Sequence, residues 1–199
     1  MIQVTRAELA QIAAREDQFP QDGRPQFAFA GRSNVGKSSL INALVNRHRL
    51  AYTSSTPGRT QHVIFYTVND AFYFVDLPGY GYASVKQKMR AHFKTVVEAY
   101  LKANPCLKAC VLLLDPKRHV GQEELDFLYY LDTIHVQPIV VLTRWDRLSA
   151  GERPMLLKQR KEELVDAAPG VVPVSAVSRE GLDVLWRLIE RRFADGSAK

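Results

Sequence analysis

Residues Gly31-Arg32-Ser33-Asn34-Val35-Gly36-Lys37-Ser38 constrain this chain more than any other stretch. A glycine, four residues and Gly-Lys-Ser form a phosphate-binding loop only when a strand leads in and a helix leads out. Apolar Phe27-Ala28-Phe29-Ala30 reads as the strand and Ser39-Leu40-Ile41-Asn42-Ala43-Leu44 as the helix. Such a loop wraps backbone N–H groups around phosphate oxygens, and the first helical turn adds orphan donors and the positive end of its dipole. Lys37 is placed to reach the β- and γ-phosphates and the Ser38 hydroxyl to ligate Mg²⁺. The expected ligand is a nucleoside triphosphate.

Three further fragments fall at the ends of apolar runs. Asp76-Leu77-Pro78-Gly79 closes Ala71-Phe72-Tyr73-Phe74-Val75; there Asp76 suits Mg²⁺ through a water, and the Gly79 N–H suits the γ-phosphate. Thr143-Arg144-Trp145-Asp146 follows the strand Pro138–Leu142. A carboxylate at Asp146 can accept from both the ring N–H and the exocyclic amine of guanine, a pair adenine lacks. Val174-Ser175-Ala176 ends the run from Val171, and its amides suit the guanine carbonyl. In this order, the fragments make a guanine pocket.

At this point the chain resembles the translation-factor-like GTPases and, within them, the EngB family (also called YihA or YsxC). The likeness runs from about Phe27 to Phe193 and is most specific at Gly-Arg-Ser-Asn-Val-Gly-Lys-Ser (31–38), Thr-Pro-Gly-Arg-Thr-Gln (56–61) and Asp-Leu-Pro-Gly-Tyr-Gly-Tyr-Ala (76–83). The resemblance implies a small bacterial GTPase that assists assembly of the large ribosomal subunit and is needed for normal cell division and septation. It carries the switch threonine onto Thr60, as a Mg²⁺ ligand in the GTP state, and nucleotide contact onto Gly58, Arg59 and Gln61, with His62 beside them. Residues 54–60 lack apolar periodicity and suit a loop whose order depends on the γ-phosphate. Lys37, Thr60 and Gly79 are the residues expected to serve hydrolysis.

Two positions depart from common GTPase patterns. Arg144 stands where the base-selecting motif usually has Lys, a change that alters stacking geometry more than guanine choice. Tyr80 stands where Ras-like proteins place a water-orienting Gln, which implies slow intrinsic hydrolysis raised by a partner or an ion. In several ribosome-related GTPases an Asn at the position of Asn34 coordinates K⁺; equally, Asn suits a tight turn there.

The remaining pattern predicts one α/β domain, residues 26–193: a P-loop GTPase fold with a six-stranded, mostly parallel sheet, one strand antiparallel, and helices on both faces. Strands are expected at about 26–30, 62–68, 71–76, 108–114, 138–142 and 171–174, with Asn69-Asp70 turning a hairpin. Residues 1–25 read as a helical extension: Thr5 with Glu8 resembles a capping box, and Leu9, Ile12 and Ala13 are spaced for one helical face. The tail 194–199 is expected to fray. Cys106 and Cys110 lack a second pair, Cys110 sits in an apolar run, and the five histidines show no ligand spacing, so no zinc is expected. No long apolar run suggests a membrane span or leader, and a cytoplasmic monomer is expected.

Charge points to the partner. The net charge of +6 and pI near 9.4 favour a polyanion, here ribosomal RNA of the large subunit or its precursors rather than DNA or membrane. Basic clusters lie at 47–49, 86–90, 117–119 and 158–161. Some of these read equally well as solvated helix faces. A division-specific GTPase acting through a septal protein is the alternative; a kinase built on the same loop would need a second substrate pocket and no guanine-selecting Asp146.

Overall fold

The computed structural model describes residues 2–51, 62–80, 87–102 and 104–194, the side chains of 87–94 and 194 aside. Seven strands form one sheet: β1 (Ala7–Ala13), β2 (Gln26–Gly31), β3 (Val63–Val68), β4 (Phe72–Asp76), β5 (Leu107–Leu114), β6 (Pro138–Leu142) and β7 (Val171–Pro173). Five helices, α1 (Lys37–Leu44), α2 (Gln87–Lys102), α3 (Gln122–Thr133), α4 (Glu152–Glu163) and α5 (Leu182–Ala194), complete the order. Strands run β1-β3-β4-β2-β5-β6-β7 across the sheet. Only β3 opposes the others, because it pairs antiparallel with both β1 and β4 while the remaining neighbours are parallel.

Both sheet faces are buried, which is why β2, β5 and β6 read as continuous apolar runs. Phe27, Phe29, Phe74, Val111 and Val141 face α1 and α5 and meet Leu40, Ile41, Leu185 and Trp186. Ala28, Val75, Cys110, Leu112 and Val140 face the opposite layer and meet Val96, Tyr100, Leu128 and Leu131. Burial pushes the Cys110 thiol up, so this cysteine is a small core hydrophobe. The β3–β4 hairpin turns at Asn69 and Asp70, both at positive φ (52° and 54°), as a tight turn matched to strand twist requires.

The N-terminal segment corrects the helical expectation and adds the seventh strand. Residues 7–13 form β1, paired with β3. A bulge at Ala10 explains the misleading spacing: Leu9 opposes Tyr66 and Ile12 opposes Ile64, so residues three apart share one face. Both lie half exposed (51% and 50%), so the alternation that marks a strand is missing. Thr5 caps no helix: its N–H (2.8 Å) and hydroxyl (3.1 Å) both donate to Asn69 Oδ1, and Asn69 Nδ2 donates to the Gln3 carbonyl. The polar tip of the hairpin therefore holds the start of β1. Residues 195–199 lie outside the described residues.

Candidate functional site

Every expected nucleotide motif that is described falls at the carboxyl edge of the parallel strands, where such sheets bind ligands. Strand β2 delivers the loop 31–38. Gly36 caps α1 at φ 112°, a conformation open to glycine and strained for other residues. Asn34 also takes positive φ (62°); its side chain is exposed and makes no hydrogen bond among the described residues. The loop is tied down from three sides. The Ser33 N–H donates to the Tyr80 carbonyl (3.0 Å), the Thr143 hydroxyl donates to the Val35 carbonyl (2.8 Å), and Arg144 donates to the Asn34 carbonyl.

Beneath the loop sits the charge centre. Lys37 is 9% exposed and Asp76 3%. Burial pulls the Lys37 ammonium below its usual range, with Asp76 opposing that shift. The same burial pushes the Asp76 carboxyl up, against the opposing pull of Lys37 and Ser38. Ser38 Oγ donates to Asp76 Oδ2 at 3.0 Å, and among the described residues the buried Oδ1 has no hydrogen-bond partner. A desolvated carboxylate with an orphan oxygen costs several kcal/mol unless a cation neutralises it. A hydroxyl beside a carboxylate oxygen is a hard-oxygen donor set that fits Mg²⁺.

Gly79 packs where a side chain cannot go: a Cβ there would lie 2.8 Å from Ser33 Oγ and 2.9 Å from the Ser33 backbone. The second motif and the phosphate loop are thus in direct contact, and Ser33 Oγ closes it by donating to the Gly79 carbonyl (3.3 Å). Tyr80 turns the other way. Its ring packs 6.3 Å from Phe127 of α3, and its buried hydroxyl is pushed up by that burial. Leu77 and Pro78 are buried between these contacts.

The base-recognition fragments, 29 residues apart in sequence, meet through side chains. Ser175 Oγ donates to Asp146 Oδ1 at 2.5 Å and accepts from the N–H groups of Val177 (3.1 Å) and Ser178 (2.9 Å). Ser175 is wholly buried, Asp146 half buried and Ala176 half buried. Backbone bonds from Trp145 N to Val174 O (3.1 Å) and from Val174 N to Leu142 O (2.8 Å) hold the two loops side by side. Trp145 is buried, with the Arg153 guanidinium 5.9 Å above its ring. This arrangement fixes the Asp146 carboxylate between the two loops.

Several supporting residues escaped the sequence reading. Asp115, at the end of β5, pairs with Arg144 at 3.3 Å, and Arg32 reaches Glu123 at 2.9 Å and Glu124 at 3.4 Å. Arg160, one of the residues in the basic cluster 158–161, is instead 1% exposed. It donates to the carbonyls of Pro116 and Arg118 and to Glu163 (2.7 Å). It thereby holds the 116–121 loop, which with Asn34 and Asp115 borders a cavity of about 340 Å³ beside the phosphate loop. A strand-end carboxylate such as Asp115 was a findable signal; a single Arg in a charged run was not. Gly58, Arg59, Thr60 and Gln61 lie outside the described residues, as do Lys86 and the side chains to Arg90; His62 is exposed just before β3.

Comparisons agree with this geometry. Residues 26–144 match a family described as 50S ribosome-binding GTPase. Over 196 residues the chain is 41% identical to a probable GTP-binding protein EngB of Citrifermentans bemidjiense, covering 98% of this chain and 92% of the relative. The protein of the same description from Oceanobacillus iheyensis is 40% identical over 195 residues, covering 96% and 98%. A crystal structure of a probable GTP-binding protein EngB superimposes with TM-score 0.69 at 20% identity, over 85% of this chain and 99% of that one. Era in complex with MgGDPNP and nucleotides 1506–1542 of 16S ribosomal RNA superimposes with TM-score 0.68 at 18% identity, over 84% and 56%. The structural likenesses speak to the fold, and the sequence identities to the family: the chain belongs to the EngB family of GTP-binding proteins.

Proposed function

We propose that this protein is a slow GTPase switch that assists assembly of the large ribosomal subunit, with its effect on cell division and septation following from ribosome supply. The observation that carries the reading is the Lys37–Asp76–Ser38 centre under a phosphate loop that Thr143 and Arg144 tie to the segment carrying Asp146. The match to a family described as 50S ribosome-binding supports the partner, as does the net charge of +6.

In this reading Lys37 offsets charge on the β- and γ-phosphates, and the loop amides of 33–38 hold them. The Gly79 N–H faces the γ-phosphate, so that its presence is felt through the Gly79–Ser33 contact. Ser38, Thr60 and Asp76 would hold Mg²⁺, Asp76 through a water; when bound, the ion neutralises charge developing on the phosphates. Thr143, Arg144 and Trp145 support the base loop, Asp146 reads guanine, and Ser175 and Ala176 close its edge. Tyr80 packs against Phe127 and cannot orient an attacking water, which supports slow intrinsic hydrolysis. K⁺ at the exposed Asn34 amide would add positive charge beside the phosphates; equal hydrolysis in Na⁺ and K⁺ would exclude that role. Among the described residues no helix is long and apolar enough to cross a membrane, and the working form is a cytoplasmic monomer.

The test is co-sedimentation with ribosomal particles in a non-hydrolysable GTP analogue, GDP and no nucleotide. Binding to large subunits or their precursors, strongest with the analogue, is the expected result. No nucleotide-dependent binding to any particle overturns the ribosomal reading and leaves the guanine site intact.

A further inference from the structure

Several cations on this surface are already neutralised. Arg6 pairs with Glu8 and Asp70, Lys117 with Glu152, Arg153 with Glu180 and Arg187 with Asp183. One cluster is not. Arg47, His48 and Arg49 are exposed after α1, and exposed Arg179 donates to Asn46 Oδ1 at 3.2 Å, bringing a fourth basic side chain to the same loop. Among the described residues no carboxylate lies within ion-pairing distance of Arg47, Arg49 or Arg179.

The loop that presents them is built, not slack. Buried Asn42 grips Ala51 with both ends of its amide, donating to the carbonyl at 2.8 Å and accepting from the N–H at 2.7 Å. The Arg47 N–H donates to the Asn42 carbonyl (2.9 Å), and its guanidinium donates to the Thr5 carbonyl (3.1 Å). Leu50 packs onto the core. Asn42 therefore closes the loop at both ends, with its amide on Ala51 and its carbonyl on the Arg47 N–H, and like charges are held together in water at a repulsive cost. A fixed row of cations, each with unused N–H donors, is complementary to closely spaced phosphates.

We infer that the 46–49 loop together with Arg179 is a docking surface for the phosphate backbone of RNA, an inference that rests on the ribosomal reading above. The surface lies away from Lys37 and Asp76, at the far end of α1. It is joined to the loop that follows Ser175 and Ala176 through the Arg179–Asn46 bond.

The test measures binding of the full chain, loaded with a GTP analogue, to purified large ribosomal subunits across a salt series. Arg47→Gln/Arg49→Gln/Arg179→Gln should keep GTP affinity and flatten the slope of log K against log salt by about two, as expected for three lost phosphate contacts. Arg49→Glu alone, at a side chain with no hydrogen bond or ion pair among the described residues, should weaken binding at low salt, while Arg49→Lys should retain it. Slopes equal to wild type in these variants overturn the docking surface and leave the ribosomal reading standing. Absence of wild-type binding in every nucleotide state overturns both. Loss of binding to phosphatidylglycerol vesicles with RNA binding unchanged would reassign the patch to a membrane surface and overturn the inference as well.

Discussion

The two ends of the nucleotide site are built on opposite principles. At the phosphate end, Lys37 and Asp76 are buried with shifted acidities, and one Asp76 oxygen is left without a partner among the described residues. At the base end the loops are already cross-bonded: Ser175 to Asp146, Arg144 to Asp115 and Asn34, the Trp145 N–H to Val174. The phosphate end is electrostatically incomplete and gains most when charged ligands arrive. The base end is braced beforehand by bonds between its own loops, so it can discriminate with little rearrangement. Affinity should therefore depend chiefly on the first and identity on the second.

The largest break in this contrast is Lys37→Ala. It removes the cation and leaves Asp76 buried alone, so GTP and GDP affinity should both fall by about 100-fold or more, measured by fluorescent-nucleotide titration. Binding within a few-fold of wild type would mean the buried pair does not carry affinity. Next is Asp146→Asn, which should weaken GTP by about 30- to 100-fold through loss of charge-assisted bonds to the base. Binding of inorganic triphosphate should be unchanged, and an equal loss for both ligands would show that the two ends are not separable. Gly79→Ala sharpens the phosphate end itself. The added methyl must displace the Ser33 backbone, so the GTP analogue should weaken by about ten-fold while GDP changes less; calorimetry with the two nucleotides decides.

The smallest effect lies outside both ends. The Arg24 guanidinium, and then the Tyr73 hydroxyl, hold the Asp22 carboxyl down at about 2. Its stabilisation is present above the ordinary carboxylate range and is lost as pH falls toward 2. Asp22→Asn should lower the melting temperature by a few degrees at pH 6, with the gap closing on acidification and nucleotide affinity unaffected. A gap constant from pH 6 to pH 2.5 would remove the ionic explanation.

What the sequence makes legible follows from how local each signal is. The phosphate loop, the Asp76 strand end and the Asn69-Asp70 turn are contiguous fragments whose chemistry is complete within a few residues. The Asp146 and Ser175 loops are readable separately, but their bond joins positions that only the parallel order of β6 and β7 brings together. Asp115 and Arg160 reach partners more than 25 residues away; the strand end marks the first as a candidate, while the charged run around Arg160 hides the second. β1 misleads for a different reason. A bulge at an edge strand turns a spacing of three into one face, and the half-exposed Leu9 and Ile12 then imitate a helix.

That edge strand also bears on the order of events during synthesis. Ala7 pairs with Val68 and Ala13 with Val63, so β1 is translated well before its partner exists. The nucleotide loop at 31–38 likewise emerges before β4, β5 and β6 can flank it. Residues 7–13 must wait, unpaired and carrying Leu9 and Ile12, until the β3–β4 hairpin forms and Asn69 captures Thr5. This contact spans a long stretch of chain and should form late. Slow translation between residues 14 and 62 would prolong the wait and favour mispairing of β1 with another nascent chain.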